Sequence, residues 1–338
     1  SLYLYPYFLI KWESMSVQLH FNFKKQNILE NQLGSNDNKL LIDFSQLVIT
    51  AVTGSFKTEQ EQKDLTKFQV KAVVLGSLKD VLKKYKQKYP NVVICCDNAT
   101  IPYYKRTISP FYKAHRSKSR EDSSLNWEMI FSASKELIQD LKENFCYQVI
   151  DIPGLEADDI IGYLATKGNS GEYHSMIVSS DGDFTQLHSK YTKQYSFIHG
   201  KQIEPKTTAF GDMITKIIKG DKKDSVSPVK CPSDFYYNQN MGQSELNEQK
   251  RAPSIKQAEL DLYIKAGSIP AVASLLSTDL YERLNENVKL IDLSNIPKEQ
   301  ADKIENELLV IPKGNKSKMY QYLLSNKLTK LLESIQEF

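Results

Sequence analysis

Four apolar runs, each leading straight into acidic residues, constrain this chain more than any other feature. "KLLIDF" (39–44) contains Asp43 at its end, and "NVVICC" (91–96) is followed by Asp97. "YQVIDI" (147–152) leads into "GLEADD", with Glu156, Asp158 and Asp159, and "SMIVSS" (175–180) into Asp181 and Asp183. Runs of this length and composition predict buried strands. Helical spacing lies between them: Val70, Val73, Val74, Leu78, Val81, Leu82 and Tyr85 over 66–88, then Ile130, Ala133, Leu137, Ile138, Leu141 and Phe145 over 126–145. A short helix is expected over 157–167. Strand–helix–strand order argues for an α/β fold with a mostly parallel central sheet flanked by helices. Ligands of such sheets usually sit beyond the carboxyl ends of the strands. Four strands therefore deliver seven carboxylates toward one edge, and Asp221 and Asp224 follow in "GDKKD".

So many like charges in one place require protonation or neutralising cations. All-oxygen donors favour Mg2+ or Mn2+ over zinc. Two such ions, roughly 4 Å apart, activate a water and stabilise the leaving oxygen in phosphodiester cleavage. On a regular helix positions 156 and 158 point about 200° apart, while 156 and 159 share a face. Asp158 is therefore expected to touch metal directly, with Glu156 and Asp159 acting partly through water. Taken singly, each acid has a plainer reading. Asp43 and Asp97 suit strand-end turns, and acids at 156–159 suit a helix N-terminus. Recurrence at four strand ends favours the metal site.

The net charge is only +3, from 44 basic and 41 acidic residues, so local clustering carries the information. Lys105, Arg106, Lys113, Arg116, Lys118 and Arg120 interleave with Tyr103, Tyr104, Phe111 and Tyr112. Those four aromatic residues are candidates for stacking on single-stranded bases, although aromatics in an α/β domain are more often core. A second basic segment holds Lys216, Lys219, Lys222, Lys223 and Lys230. The four cysteines form no CxxC pair, which argues against a zinc ribbon and for reduced thiols of a cytoplasmic protein. The apolar stretches are too short for a membrane span. The start, "SLYLYPYFLIKW", lacks the basic front and cleavage site of a signal peptide. Met15 is a candidate start, and residues 1–36 are expected to be an extension, partly disordered. After about residue 205 helical periods dominate, near 209–218, 255–276, 297–309 and 315–335, with a polar loop over 231–254. The expected division is an α/β nuclease domain at 37–207, with an arch at about 103–127, and a helical DNA-binding domain at 208–338.

The motifs "LIDFSQ" (41–46), "CDNA" (96–99), "YKAHR" (112–116), "NWE" (126–128), "EADDIIGYL" (156–164), "SSDGDFTQLH" (179–188), "TKIIKGDKKDSV" (215–226) and "SDFY" (233–236) stand in one order. In that order and spacing the chain resembles the 5′-nuclease or flap-endonuclease superfamily, nearest to its T-even phage members, over about 39–338. The resemblance implies a PIN-like core with a helix–three-turn–helix element at 215–226. It implies a first metal held by Asp97, Asp158, Asp181 and Asp183, and a second served by Asp43, Asp221 and Asp224, partly through water. Glu156 and Asp159 match the remaining family acids. Lys113 and Arg116 match basic residues facing the scissile phosphate. Lys105, Arg106, Lys216, Lys219, Gly220, Lys222 and Lys223 are the expected nucleic-acid contacts, with K+ at the helix–three-turn–helix element. The implied activity is Mg2+-dependent 5′→3′ exonuclease and flap-endonuclease cleavage of RNA–DNA hybrids and duplex or branched DNA, removing RNA primers in phage replication. The implied state is a monomer in the host cytoplasm, meeting the replication single-stranded DNA-binding protein.

The strongest rival is a haloacid-dehalogenase-type Mg2+ phosphatase, because "DGDFT" (181–185) fits its DxDxT signature with Asp181 as covalent nucleophile. That reading leaves Asp97 and "EADD" without a task, and here three acid-tipped strands precede the signature. A GTPase is excluded by the lack of any GxxxxGK[ST] loop. An inactive binder of branched DNA is disfavoured because all nine acids are present.

Overall fold

The centre of β1 (Lys39–Asp43), formed by Leu40, Leu41 and Ile42, is apolar because it sits inside the sheet, with parallel neighbours on both sides. The computed structural model describes residues 37–338 apart from Asp122; the expectations for 1–36 lie outside the described residues. The sheet has six strands in the order β3-β2-β1-β4-β5-β6. β2 (Asn91–Cys95), β3 (Gln148–Ile150) and β4 (Ser175–Val178) fall where the apolar runs place them. Asp43 pairs with Cys95 across β1–β2, and Ile42 with Val178 across β1–β4. Asp97 and Asp181 therefore leave the sheet at the edge where Asp43 ends.

Several helices follow the spacing closely. α1 (Phe44–Ser55) begins directly on β1, with Asp43 as its N-cap accepting from Gln46 N at 3.1 Å. After the short α2 (Glu59–Lys63) come α3 (Lys67–Tyr85), α4 (Arg116–Glu121), α5 (Trp127–Asn144) and α6 (Ala157–Lys167). α3 and α5 cover one sheet face, burying Val74, Leu78, Leu137 and Leu141 against Ile42 and Ile94. α6 covers the other through Ile160, Ile161 and Leu164, against Leu41 and Ile177.

β5 (Thr192–Ser196, parallel to β4) and β6 (Lys201–Ile203, antiparallel to β5) have no apolar signature. Thr192, Gln194 and Ser196 are buried on β5, each satisfied by a hydrogen bond, so polarity hides a strand that is in fact interior.

Beyond residue 205 lie α7 (Ala209–Lys219), α8 (Phe235–Asn240), α9 (Gln257–Ala266), α10 (Ile269–Ala273), α11 (Tyr281–Ile291), α12 (Lys298–Leu308), α13 (Lys316–Ser325) and α14 (Thr329–Leu332). The single helix expected over 255–276 is two, because Gly267 turns left-handed (φ 71°) and Ser268 caps a new start. The polar loop at 231–254 contains α8, anchored by buried Phe235. Met319, Leu323, Leu331 and Phe338 return to the core formed by α3 and α5, so packing crosses residues 207/208. Residues 38–338 form one compact unit.

Candidate metal centre and nucleic-acid interface

The strand ends do converge. Asp43 is 6% exposed and also accepts from Ser179 Oγ at 2.9 Å. Burial, then the neighbouring Asp97, pushes its pKa up to about 7. Asp97 lies on the amino end of α6, accepting from Ala157 N at 2.8 Å, so a helix dipole favours its charge. Asp158 is half-buried. Burial raises its pKa strongly; the Lys113 ammonium opposes this, and Glu156, Asp181 and Asp43 add to the rise. Asp181 caps the 3-10 turn at 182–187, accepting from Asp183 N at 3.1 Å. Asp183, Asp221 and Asp224 bring one carboxylate oxygen each to within 4.8 Å of one another.

Ammonium groups sit among these acids. Lys216 Nζ bridges Asp183 and Asp221, at 2.7 Å from the latter. Lys223 Nζ lies 2.7 Å from Asp181. Burial pushes the Asp181 carboxyl up, but Lys223, the Asp183 N–H and Lys216 together outweigh it and the net shift is downward. Arg116 donates to Asp224 at 2.6 Å, and Lys113 Nζ lies 3.6 Å from Asp224 and 3.8 Å from Asp158. Lys113 takes a positive φ of 53° and is 5% exposed, so its ammonium touches carboxylates and not open solvent. The donors are oxygens only, and cationic side chains already occupy positions beside them. This fits hard divalent cations.

Glu156 and Asp159 are enclosed at the start of α6, and Glu156 shares the Lys113 ammonium with Asp158 and Asp224. Glu156 is the N-cap of α6, and Asp159 closes a capping box onto Glu156 N at 3.1 Å. Asp159 is 0% exposed and Glu156 1%. Lys105 Nζ lies 2.7 Å from Asp159 and 3.3 Å from Glu156, Tyr112 OH donates to Glu156 at 2.8 Å, and Tyr104 OH donates to Asp159 at 3.2 Å. Lys113 is also ion-paired with Glu156. Burial would raise Glu156, but Lys113 and Lys105 outweigh it and hold the pKa near 2. Lys105 is correspondingly 3% exposed. It is the buried counter-ion of two carboxylates, so the expectation that it contacts phosphates fails for want of an open face.

The remaining basic positions divide. Arg106 braces the loop from outside, donating to the carbonyls of Tyr112 (3.2 Å) and Lys113 (3.4 Å). Lys219, Lys222 and Lys223 are exposed around the end of α7. Gly220 (φ 73°) is required there, because a Cβ would stand 2.4 Å from Val226 O. That approach lets Asp221 and Val226 pair through their backbones at 2.7 and 2.9 Å. Of the four aromatics considered for stacking, Tyr112 is buried, Tyr104 is tied to Asp159, and Phe111 packs on Tyr237.

Two positioning residues carry no sequence signal of their own. Gln194 Nε2 donates to the carbonyls of Ser179 (2.8 Å) and Asp181 (2.7 Å), fixing the "SDGD" turn from β5. Gln46 Oε1 accepts from Ser180 N, fixing it from α1. Only their place beside the acids in the folded chain identifies them.

Mn2+ or Ca2+ should raise the melting temperature, since an ion that binds the clustered carboxylates stabilises only the folded chain. A thermal shift titration checks this: the rise should shrink in Asp183→Asn, and an equal rise in that variant would contradict the centre.

Residues 38–218 match the family of 5′-3′ exonuclease N-terminal resolvase-like domains, and 208–338 match the T4 RNase H C-terminal family. The chain is 38% identical to the ribonuclease H of Enterobacteria phage T4 over 302 residues, which cover 88% of this chain and 95% of that protein. It is 33% identical to a Buchnera aphidicola 5′-3′ exonuclease over 114 residues, 34% of each chain. Among solved structures, the T5 5′-exonuclease with bound zinc superposes with a TM-score of 0.55 at 19% identity, covering 81% of this chain and 99% of its own. The T5 D15 flap endonuclease with DNA and metal ions gives 0.52 at 19%, covering 89% and 100%. These two likenesses bear on the fold, and the sequence matches carry the kinship: the chain belongs to the 5′-3′ exonuclease family, in the branch of the phage T4 ribonuclease H.

Proposed function

We propose that this chain is a divalent-metal-dependent 5′→3′ exonuclease and flap endonuclease. Its substrates would be RNA–DNA hybrids and duplex or branched DNA, with removal of RNA primers during phage replication as its task. The observation that carries the reading is the convergence of Asp43, Asp97, Asp158, Asp181 and Asp183 with Asp221 and Asp224 at one sheet edge, beside exposed lysines. Asp97, Asp158, Asp181 and Asp183 would hold one ion, and Asp43, Asp221 and Asp224 would serve a second. Bound there, Mg2+ (or Mn2+) supplies a more acidic water and charge stabilisation for the departing oxygen.

The chain's own residues do the rest. Arg116 stands at the rim of the acids, where it can exchange Asp224 for the negative phosphate of the substrate, and Lys113, enclosed behind it among Glu156, Asp158 and Asp224, would add its positive charge to the site. Lys216 and Lys223 now pair with Asp183, Asp221 and Asp181, and would be free to meet phosphates if those carboxylates held metal ions instead. Residues 208–338 would hold duplex DNA, with backbone groups at 215–226 suited to K+ and phosphate. No side chain need bond to phosphorus. The chain would work as a monomer and meet the replication single-stranded DNA-binding protein. Among the described residues no helix is long and apolar enough to cross a membrane.

A 5′-labelled flap and an RNA–DNA hybrid, incubated with Mg2+, should both be cut to fragments bearing 5′-phosphates. Hydrolysis of p-nitrophenyl phosphate with neither polymer cut would move the assignment to the phosphatase. Changing Lys219 and Lys222 together to Ala should weaken binding evenly across sequences and lower the salt slope by about 2. An unchanged slope would make them a solvated face only.

A further inference from the structure

Beside the acidic cleft lies a second feature that the nuclease reading leaves unused. Trp127 opens α5 and Phe131 follows one turn later, so both share a helix face. Their rings stack, with centroids 5.6 Å apart and planes inclined by 30°. Phe131 is 47% exposed, large for an aromatic ring of a well-packed helix. The guanidinium of Arg120, on α4, lies 4.9 Å from the Phe131 centroid and 5.9 Å from that of Trp127. Trp127 Nε1 is shut off from solvent without a hydrogen-bond partner, so this packing leaves a donor unsatisfied.

The surroundings are chosen for a polyanion. α4 carries Arg116, Lys118 and Arg120, and Arg116 reaches Asp224 in the cleft. Burial and the neighbouring Arg116 lower the pKa of Arg120, while Tyr103 and Asp97 oppose them. An aromatic face joined to a catalytic cleft by arginines suits an unpaired nucleotide, whose base stacks on the ring while its phosphate meets the cation. A partner protein would need an apolar patch, and here the rings are covered by a charge instead.

We propose that Trp127 and Phe131, with Arg120 over them, form a stacking shelf for unpaired bases of the strand that enters the cleft. The proposal rests on the nuclease reading and names residues that select a single-stranded segment. Arg120 holds the face until a base takes its place, and the guanidinium then serves the adjoining phosphate.

The test uses the full chain with Ca2+ and two 5′-flap DNAs, one with normal bases and one whose flap is abasic but keeps its phosphates. Phe131→Ala should weaken binding of the normal flap about tenfold, the value of roughly one base–aromatic stack, and should leave the abasic flap unchanged. Phe131→Leu keeps apolar packing without a ring and should behave as Phe131→Ala, which separates stacking from misfolding. In the Trp12→Phe background Trp127 is the remaining tryptophan. Its emission should be quenched by the normal flap and much less by the abasic one. Equal losses on both flaps, or no loss on either, would overturn the shelf. Wild-type chain that cuts flaps normally while showing either result retains its nuclease assignment; failure to cut any flap or hybrid with Mg2+ would remove that assignment itself.

Discussion

Asp158→Asn should abolish cleavage of both hybrid and flap while leaving DNA binding largely intact. Loss of several kcal/mol of charge stabilisation in the transition state corresponds to on the order of 10^3-fold or more in rate. The geometry explains why this acid has the largest effect. Asp158 alone of the three acids at the start of α6 keeps an open side, whereas Glu156 and Asp159 are enclosed. Burial and three other carboxylates, Glu156, Asp181 and Asp43, disfavour its charge, and Lys113 only partly opposes them. Amide substitution relieves that repulsion, so the variant should melt at or above the wild-type temperature without added metal. Single-turnover cleavage, filter binding and a melting curve together check the prediction. Wild-type turnover would remove Asp158 from the site, and loss of binding with loss of fold would make it structural.

The largest effect on stability is expected at Lys105. Lys105→Met leaves Glu156 with one lysine fewer and Asp159, among the described residues, with no cation in direct contact, both inside the protein. Breaking a buried pair by removing one partner costs about 3–5 kcal/mol. Lys67→Met, which breaks an exposed pair with Glu136, should leave stability nearly unchanged. The pH dependence follows from Glu156, whose pKa is depressed from 4.5 to about 2. A depressed carboxylate contributes stability above its unfolded value and loses it as pH falls toward 2. In Lys105→Met that contribution is smaller, so the gap from wild type should be widest near neutral pH and narrow in acid. Urea unfolding from pH 3 to 7 measures this. A gap below about 1 kcal/mol at pH 7 would return Lys105 to the solvent-facing, phosphate-binding set.

How far the sequence could be read varied with what each residue depends on. The four acid-tipped strands and α6 were legible because buried parallel strands are continuous apolar runs and helices repeat at their own period. β5 was not, because its interior positions are Thr192, Gln194 and Ser196, whose burial depends on partners distant in sequence. Lys105 misled for a related reason. A lysine among tyrosines reads as a phosphate contact, since lysine is almost never buried unless paired. Its pairing with Glu156 and Asp159 arises only when residues about fifty positions apart meet. Helix geometry did separate Asp158 from Glu156 and Asp159. It could not show that the latter two close a capping box and pair with Lys105.

The central claim is that Asp181 and the acids around it serve divalent ions and never bond to the substrate. The stereochemical course at phosphorus tests this most directly, using a flap substrate with a single chiral phosphorothioate at the cleaved position and oxygen-18 water. One in-line displacement by water inverts the phosphorus, and inversion is the expected result. Retention would require two displacements through a covalent aspartyl intermediate on Asp181, and would contradict the account.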